Sequence, residues 1–121
     1  MLEFDELEAG DIVFEAYATP TCICVVERVF IRKDVVGQYH FDLVDKSLSN
    51  TVLRNITYNP RVPNWILFST EEEAYVSAIE QCLKDKFVKP KLMECINHFQ
   101  SDSKFEKALQ IVYSENPDLF I

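Results

Sequence analysis

Two short spacings in this 121-residue chain could gather metal ligands: Cys22-x-Cys24 and Cys95-x-x-His98. Alternate residues of a strand share a face, and so do residues three apart on a helix, so the two pairs can converge on one tetrahedral ion. A zinc turn, however, ordinarily holds two or more residues between its cysteines. Strand cysteines among isoleucine and valine are more often plain core. The expectation is no metal and no cofactor, with Cys22, Cys24, Cys95 and His98 as the set that would hold an ion if one were bound. Cysteine catalysis needs a thiolate beside a base. His40 falls in a strand-like run and His98 in a helix-like one, and no sharp turn presents a cysteine. A small thiol- or metal-dependent enzyme is therefore the third reading, and no catalytic residue is assigned.

Carboxylates are plentiful, and most have local explanations. Glu71-Glu72-Glu73 follow Ser69 and Thr70, so Ser69 with Glu72, or Thr70 with Glu73, forms a capping box at the positive end of a helix dipole. Asp42 and Asp45 flank a loop, which is ordinary turn chemistry. The lead is different. Glu3, Asp5, Glu6, Glu8, Asp11 and Glu15 fall within fifteen residues that hold no basic side chain. With Phe4, Leu7 and Tyr17 interleaved, they suit docking on a partner with a basic surface. The opposite sign gathers as Lys84, Lys86, Lys89 and Lys91, where a helix carboxyl end explains it. A second possible strip, Arg28, Arg32, Lys33 and Arg54, supports the rival reading of a nucleic-acid-binding barrel, with Arg28 and Arg32 on one strand face. The net charge of −8 weighs against that rival, because like charge repels the phosphate backbone.

These residues must be carried by a scaffold that changes character near position 69. At 48% hydrophobic and 26% charged, the chain has the composition of one globular domain with a real core. Before the change, the sequence alternates as strands do. Asp11–Tyr17 is the first strand, and Cys22–Arg32, apolar on both faces, the second, bent to serve two sides of a small barrel. A hairpin at Lys33–Gly37 leads to a third strand, Gln38–Asp45, with Tyr39, Phe41 and Leu43 inward. Thr51–Ile56 is the fourth, a proline-bearing crossover follows, and Trp65–Phe68 closes the sheet.

After the change, the period is helical. A first helix over about Glu71–Lys86 buries Tyr75, Ile79, Cys82, Leu83 and Phe87. A second opens near Pro90 with Leu92, Ile96 and Phe99 as its stripe. A third, capped by Ser103 and Glu106, carries Phe105, Ala108, Leu109 and Val112 and ends near Asn116-Pro117. Leu119-Phe120-Ile121 is an apolar tail expected to dock. Trp65, Phe68, Ile79 and Leu83 should meet at the join. The fold class is α+β: a five-stranded antiparallel barrel or strongly bent sheet followed by about three helices. It forms a single domain over 1–121, with a β half at about 7–68, a helical half at about 69–116 and the tail at 117–121.

The β half, with LEAGDIVFEAY opening and YHFDLVD in the middle, resembles an SH3-like small barrel. A helix launched from the last strand by FSTEEEA is similar to a layout in small bacterial and phage proteins. The resemblance covers about residues 7 to 87. It implies a binding module, since that fold is shared by protein-, peptide- and nucleic-acid-binding domains. The expected function is a small acidic, non-enzymatic protein-interaction module. In its sharper form it is a phage or mobile-element inhibitor of a host nucleic-acid-binding defence protein. No apolar run reaches the ~20 residues of a membrane span, and the acidic lead is unlike a signal peptide, so a cytoplasmic address with reduced cysteines is expected.

Overall fold

The computed structural model describes residues 2–19, 22–62, 66–95 and 103–121, with backbone alone at 18, 19, 22 and 95. Five antiparallel strands form a curled half-barrel: β1 (Ile12–Thr19), β2 (Cys22–Lys33), β3 (Tyr39–Leu43), β4 (Asn55–Tyr58) and β5 (Leu67–Phe68). Their spatial order is β4-β3-β2-β1-β5. Three helices follow: α1 (Glu71–Lys84), α2 (Lys89–Cys95) and α3 (Ser103–Glu115). The expected α+β class holds.

Hairpin connections make the sheet a meander up to β4. Between β2 and β3, Gly37 takes a φ of +91°, which the turn needs and glycine supplies without a Cβ clash. Asp34 fixes that turn by accepting from the amides of Val36 and Gln38 at 3.0 and 2.9 Å. Its other oxygen lies 2.8 Å from Nε2 of His40, and these contacts hold the Asp34 carboxyl below its ordinary range. β4 starts later than its sequence pattern suggests. Asp45 caps a 3-10 turn over Lys46–Asn50, the amides of Thr51 and Val52 bond back to the Leu48 carbonyl instead of to a neighbouring strand, and Asn55–Tyr58 is the segment that pairs with β3.

The long β2 serves two cores, as its two apolar faces predict. Ile23, with Val25 and Ala16 beside it, covers the helical cluster of Tyr75, Ile79, Leu83, Leu92, Phe105 and Val112. Phe30 turns into the concave side of the sheet, where Val13, Tyr39, Phe41 and Leu67 form a second cluster. Tyr39, Phe41 and Leu43 are buried together, as the β3 alternation requires.

Thr70 caps α1, its hydroxyl accepting from the Glu73 amide at 3.2 Å, while the Glu73 carboxylate takes a hydrogen bond from the Ser69 hydroxyl. Of the two expected pairs, Thr70 with Glu73 supplies the hydroxyl-to-amide half of a box, and the Glu73 carboxylate reaches back to the Ser69 hydroxyl. The helix stops at Lys84, two residues early, because the Asp85 carboxylate captures the amides of Phe87 and Val88 at 2.8 and 3.2 Å. Phe87 is thereby thrown outward, 75% exposed, instead of completing the buried stripe. Ile79 and Leu83 are buried as expected, Phe68 is only half-buried, and Trp65 lies outside the described residues. The tail docks through Leu119 and Phe120, whereas Ile121 is exposed. No helix among the described residues is long and apolar enough to cross a membrane.

Candidate interaction groove

The lead is an ordered part of the barrel. Phe4, in a 3-10 turn over Phe4–Glu6, stacks on Tyr58 with ring centroids 4.2 Å apart and planes 9° from parallel. Leu2, Phe4 and Leu7 all pack against the concave cluster. The Tyr39 hydroxyl donates to Asp5 at 2.8 Å, and burial, with that carboxylate beside it, raises the tyrosine's pKa. Clamping the apolar residues inward leaves Glu3, Asp5, Glu6, Glu8 and Asp11 exposed. Among the described residues, no basic side chain forms an ion pair with any of these five.

Glu15 does not join them. The residue is 4% exposed, its carboxylate accepts from Nε of Arg28 at 2.8 Å, and Arg28 is itself fully buried. Nη1 of Arg28 donates to the Arg54 carbonyl at 2.8 Å, and Nη2 to the Tyr17 hydroxyl at 3.2 Å. Burial, then the charge of Glu15, pushes the Tyr17 pKa up. The expected acidic face therefore loses Glu15 to the interior. The expected basic strip loses Arg28 in the same contact. A register shift between Phe30 and Arg32 adds to this: Arg32 stands exposed, so Arg28 and Arg32 do not share a face. Lys33 lies 5.3 Å over the Tyr39 ring, and Arg54 reaches toward Asp42 at 3.6 Å. The four cations do not form one strip.

Two grooves flank Leu2, which lines both. The smaller, about 340 Å³, runs along the lead and is edged by Glu3, Glu6 and Asp11 over Leu7 and Val13. The larger, about 470 Å³, lies between β5, α1 and α3. Its apolar lining is Leu2, Leu67, Phe68, Val76 and Ile111, and its charged lining is Glu72, Glu73, Glu80 and Glu115. Glu72 is bridged to Lys107 at 3.2 Å, but no lysine or arginine lines either groove. The result is a two-part trough joined at Leu2, apolar mainly in its larger part, with seven carboxylates among its lining residues. Capping explains the position of Glu72 and Glu73 in sequence, which hid their second role as rim. Glu80 and Glu115 gave no local signal, since only the packing of α1 beside α3 brings them together.

For the tetrahedral set, Cys24 stands exposed on β2, while His98 and the side chains of Cys22 and Cys95 lie outside the described residues. Among the described residues, no group of three or more histidine, cysteine or acidic side chains is placed to hold a metal ion. Cys82 is buried on the inner face of α1, where desolvation, then the charge of Asp85, raises its thiol pKa and lowers its nucleophilic fraction. The four lysines at and beyond the end of α1 are placed as a basic surface: Lys84, Lys86 and Lys91 are exposed, and Nζ of Lys89 donates to the Ile121 carbonyl at 2.7 Å. No protein-family model, curated protein or solved structure matches this chain.

Proposed function

We propose that this protein is a non-enzymatic interaction module that takes a basic, amphipathic segment of another protein into the trough beside Leu2. The observation that supports this reading is the pairing of apolar lining with carboxylate edges in two grooves that meet at Leu2, one edged by the lead and the other by α1 and α3. An apolar anchor gains from burial in such a trough, and lysine or arginine on the same segment meets carboxylates in place of water. A nucleic-acid-binding protein presents segments of this chemistry. The carboxylates would then stand where phosphates bind, which is the inhibitor form of the reading.

The test uses a helical peptide of leucine and lysine in an amphipathic repeat. Steered association should be fast at ~0.01 M salt, where the screening length is ~30 Å, and slower at ~0.15 M, where it is ~8 Å. Glu3→Lys with Glu6→Lys should slow association about tenfold at low salt and leave the fold intact, because exposed charges contribute little to stability. Equal rates for the variant and the wild type at every ionic strength would reduce the acidic lead to solvated surface.

A further inference from the structure

The same helix that edges the trough ends in the chemistry the trough would accept. Glu73, Val76, Ser77 and Glu80 line it from α1, and Lys84 continues their spacing one turn further on. Beyond Lys84, the Asp85 carboxylate holds a tight turn that presents Phe87, with Nζ of Lys86 5.2 Å from the ring centroid. Phe87 is among the most exposed large apolar side chains of the described residues. No carboxylate among the described residues pairs with Lys84 or Lys86. One side of α1 is thus an acidic hollow, followed by a basic knob with an aromatic tip.

We propose that two copies of this chain pair through α1, antiparallel, with the Lys84–Phe87 knob of each seated in the acid-edged trough of the other. This rests on the trough being a binding site and names a second copy as its occupant. Complementarity argues for reciprocity. In an antiparallel pair each step forward on one helix matches a step back on the other, so Lys84 against Glu80 and Phe87 against Ser77 and Val76 belong to one register. A hollow and a knob on one side of one helix make the contact self-complementary, which closes as a twofold dimer instead of growing into a filament. The net charge of −8 opposes approach at long range. Physiological salt screens that repulsion over ~8 Å while leaving pairs in contact largely unscreened. Seating the knob would also occlude the trough, so self-pairing and partner binding compete.

Sedimentation velocity of the full chain at ~0.15 M salt reads this directly. The wild type should shift with concentration from 14.1 kDa toward twice that mass. Glu80→Lys and Lys84→Glu should each weaken the dimer more than tenfold, because each sets like charges face to face. The double variant Glu80→Lys/Lys84→Glu should restore it, since both copies then carry the exchanged pair. Phe87→Ser should weaken it while leaving the fold of the single chain intact, as that side chain is exposed there. A wild type that stays monomeric at every concentration, or a dimer indifferent to Glu80→Lys, would overturn the proposal. A monomeric wild type that still binds the leucine–lysine peptide would overturn self-pairing alone. A charge-sensitive dimer that ignores the peptide would support the pairing and count against an external partner.

Discussion

Arg28→Ala should destabilise the fold by ~3–5 kcal/mol, the cost of leaving one member of a buried ion pair without the other. Both partners are almost completely withdrawn from water, so solvent screening does not soften the loss. The guanidinium also joins Tyr17 on β1 to the Arg54 carbonyl just before β4, spanning the curl of the half-barrel. Removing it leaves the Glu15 carboxylate in the interior with no cation. For a domain whose whole stability is typically ~5–15 kcal/mol, that is a large fraction, and chemical denaturation would register it. Replacing both, as Glu15→Leu with Arg28→Met, should recover most of the loss, because apolar pairs of similar size often equal or exceed a buried salt bridge. The Arg54 carbonyl keeps a partner in that variant, since it also accepts from the Leu43 amide at 3.0 Å. An Arg28→Ala protein within ~0.5 kcal/mol of the wild type would mean that the pair is not buried.

Ile79→Ala should cost ~2–5 kcal/mol. Ile79 is fully buried at the middle of α1, in the cluster that unites Ile23 of β2 with Phe105 and Val112 of α3. Truncating it opens a cavity between sheet and helices, where neither layer can collapse without moving the other. Ile79→Val removes one methylene and should cost only ~0.5–1.5 kcal/mol. Thermal unfolding of the two variants gives the ratio. A loss within ~0.5 kcal/mol for Ile79→Ala would show that α1 does not dock on the sheet.

The sequence made the architecture legible where one periodicity ran unopposed. Tyr39, Phe41 and Leu43 alternate with polar neighbours, so both the strand and its inward face could be read. Thr70 and Glu73 marked the start of α1 because capping is a local interaction. Its end was less visible. Phe87 fits the helical stripe by spacing, but Asp85 competes for the amides that would extend the helix, and the turn wins. Glu15 and Arg28 read as surface because charged residues are rarely buried. Their pairing depends on strand register, with Val13 opposite Arg28 and Glu15 opposite Val26, so that each charge sits diagonally across from the other. Alternation did hold the clue: Glu15 lies between Val13 and Tyr17 in the inward phase, and Arg28 between Val26 and Phe30. The lead was legible as acidic, but not as one wall of a trough. Through Leu2 it adjoins a groove whose remaining lining comes from β5, α1 and α3, more than sixty residues away in sequence.

Amide chemical-shift mapping on titration with the leucine–lysine peptide tests the trough most directly. Binding there should perturb a contiguous set that includes Leu2, Glu6 and Leu7 of the lead, Phe68 of β5, Val76 and Glu80 of α1 and Ile111 of α3, while the β3–β4 edge stays unchanged. The shifts should fade as salt rises. Perturbations centred on β3 and β4, or spread evenly over every exposed carboxylate, would contradict a built acidic groove and leave only a diffuse negative surface.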